Sequence, residues 1–168
     1  MDRETDFCYN SGYTGAEAGV LWPGLVYKSA NQQTEQRGKI GRGMEMAGPR
    51  ILSIEDNRDN RMLVRRVLEV EGYQVVEAED GWIGLRAAKA ERFDLILVDI
   101  NLPEVDGYEV TARLKALDTV ADVPIIAITA NVMKGDREKT LAAGCSGYIQ
   151  KPIDVDLLPM QVAAFLER

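Results

Sequence analysis

Histidine is absent from all 168 residues. Without imidazole the chain has no unperturbed general base near neutrality and no histidine metal ligand. Cysteine is scarce: Cys8 and Cys145 stand far apart with no metal-binding spacing. That excludes a disulfide framework and a zinc site and fits a reduced, cytoplasmic setting. No apolar run approaches the roughly 18 residues of a membrane span. The stretch from Val20 to Val26 is short, is broken by Pro23 and lacks a basic lead, so it does not read as a signal peptide. A basic surplus is missing too. The net charge of −7 argues against direct nucleic-acid binding. What is present is an ordinary apolar fraction, 46%, enough for a globular core. The length allows one domain and an appendage.

The appendage lies at the front. Residues 1–49 hold eight of the fifteen glycines but only six Ile, Leu, Val and Phe residues, with five basic and six acidic side chains. Ser, Asn, Gln and Gly recur there without periodicity, the composition of a flexible extension with no core of its own. Three accounts of it stand: a regulatory arm, a vector-derived leader, or a mis-called start upstream of Met44 or Met46.

From Arg50 onward, strand and helix patterns alternate. The spacing predicts strands over residues 51–54, 73–78, 95–98, 123–129 and 147–150. It predicts helices over about 59–71, 81–90, 107–117, 132–143 and 154–167. In the first helix Met62, Leu63, Val67 and Val70 recur at helical spacing and are expected to face inward, with Gly72 at its C′ position. In the second, Asp80 is the expected cap, and Ile83, Leu85 and Ala88 the sheet-facing residues. Pro159 is acceptable in the last helix if it falls in the opening turns. Five βα units over residues 50–168 imply an α/β fold, a doubly wound parallel sheet with helices on both faces. The sequence ends directly after the fifth helix, so no DNA-binding or catalytic output domain is expected.

The centre of this pattern is Phe93-Asp94-Leu95-Ile96-Leu97-Val98-Asp99-Ile100-Asn101-Leu102-Pro103. Leu95 to Val98 is apolar at every position, so both faces of that strand should be buried. Asp99 then sits at the carboxyl end, where open α/β sheets bind ligands. Glu55 and Asp56 follow the first strand, Thr129 ends the fourth and Lys151 follows the fifth, so all lie on one sheet edge. Each alone has an ordinary explanation, as a helix cap or a solvated loop residue. Together they are a chemical set. Three crowded carboxylates repel one another unless a cation sits among them. Oxygen ligands of this kind suit Mg²⁺. A carboxylate can attack phosphorus to give an aspartyl phosphate, and Lys151 and the Thr129 hydroxyl can neutralise and hydrogen-bond the new group.

Ile54-Glu55-Asp56-Asn57, Val98 to Pro103 with Asp106-Gly107, Ile128-Thr129-Ala130 and Gly147-Tyr148-Ile149-Gln150-Lys151-Pro152 together resemble the CheY-like receiver domain of two-component response regulators. The resemblance covers Arg50 to the C-terminus. Met133-Lys134-Gly135-Asp136 and Gly144-Cys145 look like the DivK-type single-domain regulators, although the same stretches occur in receivers attached to hybrid histidine kinases.

The resemblance implies a flavodoxin-like sheet of order 2-1-3-4-5, with Asp99 as phosphoacceptor. It implies Mg²⁺ bound by Asp56 and Asp99 directly, by Glu55 mainly through water and by the Asn101 backbone carbonyl. Lys151 would pair with the phosphoryl group, and Pro152 would follow a cis peptide bond. Thr129 and Tyr148 would form the switch, the tyrosine rotating inward as the threonine moves. The implied partners are a sensor histidine kinase or histidine phosphotransferase, and a downstream protein bound through the fourth helix, fifth strand and fifth helix. No catalytic turnover is implied beyond self-phosphorylation and slow autodephosphorylation. Cys145 is expected to pack rather than react.

The competing reading is an aspartate-nucleophile phosphatase of the haloacid dehalogenase type. Such enzymes carry a second Asp two residues after the nucleophile as acid–base. Here that position is Asn101, which cannot carry the proton.

Overall fold

The computed structural model describes residues 48–130 and 136–167, with side chains from 138 onward in the second stretch. Ten elements alternate: β1 (Arg50–Ile54), α1 (Arg58–Val70), β2 (Gln74–Ala78), α2 (Gly81–Ala90), β3 (Leu95–Asp99), α3 (Gly107–Lys115), β4 (Ile125–Thr129), α4 (Asp136–Ala142), β5 (Gly147–Gln150) and α5 (Leu158–Leu166). The strands pair in parallel in the order β2-β1-β3-β4-β5, as the expected topology requires. All five residues of β3 and of β4 are buried, which is why neither strand alternates in sequence.

The sheet separates two apolar layers. Leu52, Ile54, Ile96, Val98 and Ala127 point to the side where Leu85, Ala88, Val110 and Leu114 of α2 and α3 pack. Ile51, Leu95, Leu97, Ile126 and Ile128 point to the side covered by Val64 and Leu68 of α1 and by Leu158, Val162 and Phe165 of α5. Each of the Val, Leu, Ile and Phe side chains contributes about 1.5–3 kcal/mol when fully buried. Ser53 shares the second face, and its hydroxyl is buried there without a hydrogen-bond partner.

Side-chain caps fix the helix starts. Asn57 Oδ1 accepts from the Asp59 and Asn60 amides at 2.9 and 3.1 Å. Asp80 Oδ1 accepts from Ile83 N at 2.6 Å, and Asp106 Oδ1 from Tyr108 N at 2.9 Å. At the far ends, Gly72 (φ +88°) and Gly144 (φ +96°) hold the left-handed conformation expected of C′ residues. The amides of Gly72 and Tyr73 return to Glu69 O and Leu68 O, and those of Gly144 and Cys145 to Leu141 O and Thr140 O. Both are Schellman closures. Cys145 is buried with Sγ 3.8 Å from Thr111 Oγ1, and burial pushes its thiol pKa up, so it packs as expected.

Some expectations shift. Val70 does not face inward: it is 85% exposed, whereas Val64 and Leu68 are fully buried. At 100° per residue Val70 lies about 200° around the helix from Leu68, on the solvent side. Met62, Leu63 and Val67 are half-buried on the flanks of the true stripe. Strand β4 begins at Ile125 because Pro124 has no N–H to pair; its carbonyl still accepts from Ile96 N at 3.0 Å. The last helix starts at Leu158, not residue 154. Asp154 Oδ1 instead binds the amides of Asp156 and Leu157 and holds a turn ahead of the helix, and Pro159 falls in the opening turn. The third helix ends at Lys115, where the Lys115 ammonium reaches Ala121 O and Val123 O, at 3.1 and 2.7 Å. The expected helix start at residues 132–135, the Met133-Lys134-Gly135 stretch and the extension over residues 1–47 lie outside the described residues.

Candidate active site

Parallel pairing brings the carboxyl ends of β1, β3, β4 and β5 to one edge. Ile54 pairs with Val98, Asp99 with Ile128 and Thr129 with Gln150, so the residues that end or follow these strands crowd together. Glu55 is 1% exposed and Asp99 2%, while Asp56 is exposed. Each offers a carboxylate oxygen, and these oxygens all lie within 4.8 Å of one another.

Lys151 reaches this group from the loop after β5. Its Nζ donates to Asp99 Oδ2 at 2.7 Å and to Glu55 Oε2 at 2.8 Å. Its backbone amide donates to Thr129 O at 2.8 Å, and the Lys151–Pro152 peptide is cis. Asp99 Oδ1 accepts from the Asn101 amide at 2.9 Å. Glu55 Oε1 accepts from Asn57 N at 3.2 Å and Asn60 Nδ2 at 3.4 Å.

The electrostatics follow from this crowding. Burial pushes the Glu55 carboxyl above its ordinary range. The hydrogen bond from Lys151 opposes that rise and the Asp99 charge adds to it. Burial pulls the Lys151 ammonium down, but its hydrogen bonds to Asp99 and Glu55, and then their charges, outweigh that and leave its pKa raised. Three carboxylates and one ammonium carry a net charge of −2 when ionised. A divalent cation with hard oxygen ligands balances that charge, so the donor set fits Mg²⁺.

The structure therefore brings Glu55, Asp56, Asp99 and Lys151 together, with Asn101 joined through its amide. Thr129 ends β4 at the same edge and is 5% exposed. Tyr148 stands apart from the cluster. It is half-buried on β5 and packs against the α2–α3 side of the core.

Three residues gained no role at the site from sequence, although Gly107 belongs to the Asp106-Gly107 motif. Asn60 and Arg61 lie one turn into α1, and both reach back to the loop after β1. Their position one turn past the cap is the only sequence signal. Gly107 is the third: its amide donates to Ile100 O at 3.1 Å, which brings the start of α3 against the backbone of Asp99.

A sequence profile of the response regulator receiver domain matches residues 51–163. The polar-differentiation response regulator DivK of Brucella anthropi is 42% identical over 116 residues, which cover 69% of this chain and 94% of that protein. Its counterpart in Brucella ovis is 40% identical over the same span. Among solved structures, the chemotaxis protein CheY4 of Vibrio cholerae superposes with a TM-score of 0.69 at 27% identity, covering 71% of this chain and 99% of that one. The receiver domain of a sensor histidine kinase from Pseudomonas aeruginosa PAO1 superposes at 0.68 with 38% identity, covering 73% and 100%. That structure has a magnesium ion coordinated in its active-site cleft.

Proposed function

The chain belongs to the response regulator receiver domain family, and from that premise we propose that Asp99 accepts a phosphoryl group from a phosphohistidine donor with Mg²⁺ present. The observation that carries this is the Lys151 ammonium held between the buried Asp99 and Glu55 carboxylates at the carboxyl edge of the sheet. Receiver domains work with histidine kinases or phosphotransferases and with downstream targets.

In this chain Asp56, Asp99, Glu55 and the Asn101 carbonyl would hold Mg²⁺, which when bound supplies positive charge against the phosphoryl oxygens. An Asp99 carboxylate oxygen attacks phosphorus, and the bond to the donor nitrogen breaks. Lys151 already lies 2.7 Å from Asp99 Oδ2 and pairs with the phosphoryl group as it arrives. Asn101 N holds the other carboxylate oxygen and fixes the plane of the nucleophile. The result is a phosphoprotein rather than turnover, since position 101 offers no acid–base carboxylate. Incubation with phosphoramidate and Mg²⁺ tests this. A persistent, stoichiometric phosphoprotein is expected. Continuous release of inorganic phosphate would indicate the haloacid dehalogenase type of chemistry instead.

Residues 50–168 form the functional unit in this reading, acting in the cytoplasm and without direct nucleic-acid contact. Deleting residues 1–45 should leave folding and phosphorylation intact, since six large aliphatic or Phe residues among the first 49 offset little ordering entropy. A melting temperature lower by more than about 4 °C, roughly 1 kcal/mol for a small domain, would show that the extension packs on the core. The DivK relatives, of whose length 94% is covered, support a stand-alone mode of action over a receiver within a hybrid kinase.

The downstream partner binds α4, β5 and α5. Three of the five exposed large hydrophobic residues among the described ones, Leu141, Val155 and Met160, lie on α4, on the turn before α5 and on α5. Thr129 links the site to this face by moving toward the phosphoryl group and opening space for Tyr148. Coupling of this kind is typically about 5–150-fold in affinity. Thr129→Ala should keep Asp99 competent but bring the ratio of partner affinities with and without beryllofluoride close to one. The same ratio in mutant and wild type would exclude Thr129 from the signal path.

A further inference from the structure

Asp56 is the exposed member of the carboxylate cluster, and its side chain makes no hydrogen bond or ion pair within the described residues. Among the described residues no hydrogen bond or ion pair aims it, which leaves its backbone to set its direction. That backbone is held from α1. Arg61 Nη1 donates to Glu55 O at 2.7 Å and to Asp56 O at 2.9 Å. One guanidinium nitrogen thus bridges two successive carbonyls of the loop that presents both acids. The Arg61 amide donates to Asn57 O at 3.0 Å, which ties the base of the same side chain to the end of that loop. The side chain is 13% exposed, and its other edges lie 3.9 Å from Glu77 Oε1 and from Glu79 Oε2. These two carboxylates approach Nε and Nη2 rather than the Nη1 that holds the loop. An arginine suits the position because its planar fork offers several donors in fixed directions.

We propose that Arg61 is a positioning residue, presenting Glu55 and Asp56 to Mg²⁺ by clamping their backbone carbonyls. This rests on the Mg²⁺ and phosphoacceptor reading above. The sign of its effect separates the clamp from a plain charge. A guanidinium beside a divalent cation opposes it by Coulomb repulsion. Acting only as a charge, Arg61 would weaken Mg²⁺ binding, and its removal would tighten it. Acting as a clamp, its removal weakens binding, because groups that orient metal ligands typically contribute about 10–100-fold in metal affinity.

The test is Mg²⁺ titration by calorimetry of the full chain as wild type, Arg61→Ala, Arg61→Lys and Arg65→Ala, with folding checked by thermal denaturation. Arg65 is the control: it lies one turn further along α1 and pairs with Glu77 at 2.8 Å. Arg61→Ala is expected to bind Mg²⁺ about tenfold more weakly. Arg61→Lys should fall between it and wild type, because an ammonium keeps the charge but reaches the carbonyls with a flexible stem. Arg65→Ala should match wild type. Phosphorylation with phosphoramidate should show the same split, with the half-saturating Mg²⁺ concentration raised in Arg61→Ala and the rate at saturating Mg²⁺ close to wild type. Unchanged or tighter Mg²⁺ binding by folded Arg61→Ala overturns the clamp. If that variant does not fold, Arg61→Lys decides: weaker binding than wild type supports the clamp and equal binding overturns it. A wild-type protein that binds no Mg²⁺ would sink the underlying reading together with the clamp, whereas normal wild-type binding with an indifferent Arg61→Ala removes the clamp alone.

Discussion

Asp99→Asn is expected to abolish hydroxylamine-labile, acid-stable labelling by phosphoramidate in the presence of Mg²⁺. The change removes the one carboxylate that ends the central strand, is 2% exposed, and has both oxygens already engaged, by Lys151 Nζ and by Asn101 N. Glu55 and Asp56 remain but are not equivalent. Glu55 is 1% exposed, with one oxygen under Lys151 and the other under Asn57 and Asn60, and Asp56 stands on the solvent side. The fold should survive the substitution. An amide oxygen can still accept from Lys151, and Glu55 keeps its own 2.8 Å hydrogen bond to the ammonium. The variant also loses one of three mutually repelling carboxylates, which relieves the metal-free protein. Labelling that persists undiminished in folded Asp99→Asn would put the acceptor on another residue.

Gly107→Ala is expected to be the most damaging single-methyl change at the site. A Cβ at this position would lie 2.3 Å from Asp99 O and 2.6 Å from Ile100 Cα. Both obstacles are backbone atoms of the strand end that carries Asp99, so neither can swing aside as a side chain would. At Gly147, by contrast, the nearest obstacle is the Phe165 ring, which can shift. Overpacking of a well-filled site costs about 1–3 kcal/mol, and more where the backbone must move. At about 4–8 °C per kcal/mol for a small domain, the melting temperature should fall by on the order of 10 °C. Phosphorylation should slow as well, because the α3 start can separate from β3 only by displacing Asp99 or releasing the Gly107 amide from Ile100 O. Thermal denaturation within about 2 °C of wild type would show that the close approach is relaxed in solution.

Much of this site is legible in sequence because a parallel sheet converts order along the chain into position. Once Leu95 to Val98 reads as a strand buried on both faces, Asp99 must lie at its carboxyl end. The residues after the other strands then share that edge. Gly72 and Gly144 are equally legible, since a left-handed helix stop leaves few alternatives to glycine. The phase of α1 is not legible. Met62, Leu63, Val67 and Val70 make as good a helical stripe as the real one, and only packing against β1 and β3 selects Val64 and Leu68. Arg61 is hidden for a different reason. Its partners are backbone carbonyls, which every residue has, so no pairing of residue types betrays the contact. Pro124 also misleads: its carbonyl joins the ladder although it stands outside the strand.

The lysine bridge has a consequence for the life history of the chain. Lys151 and Glu55 are 96 residues apart and Lys151 and Asp99 are 52 apart, yet one ammonium joins all three. Contacts of such separation form late, after the intervening loops have closed. A chain emerging from the ribosome with β1 and β3 already made would hold the three acids but not their counter-ion. A truncation before Gly147 would be in the same condition. On the phosphoacceptor reading, the lysine that meets the Asp99 carboxylate arrives only with the fifth strand, so the full charge set forms only once the whole sheet is in place.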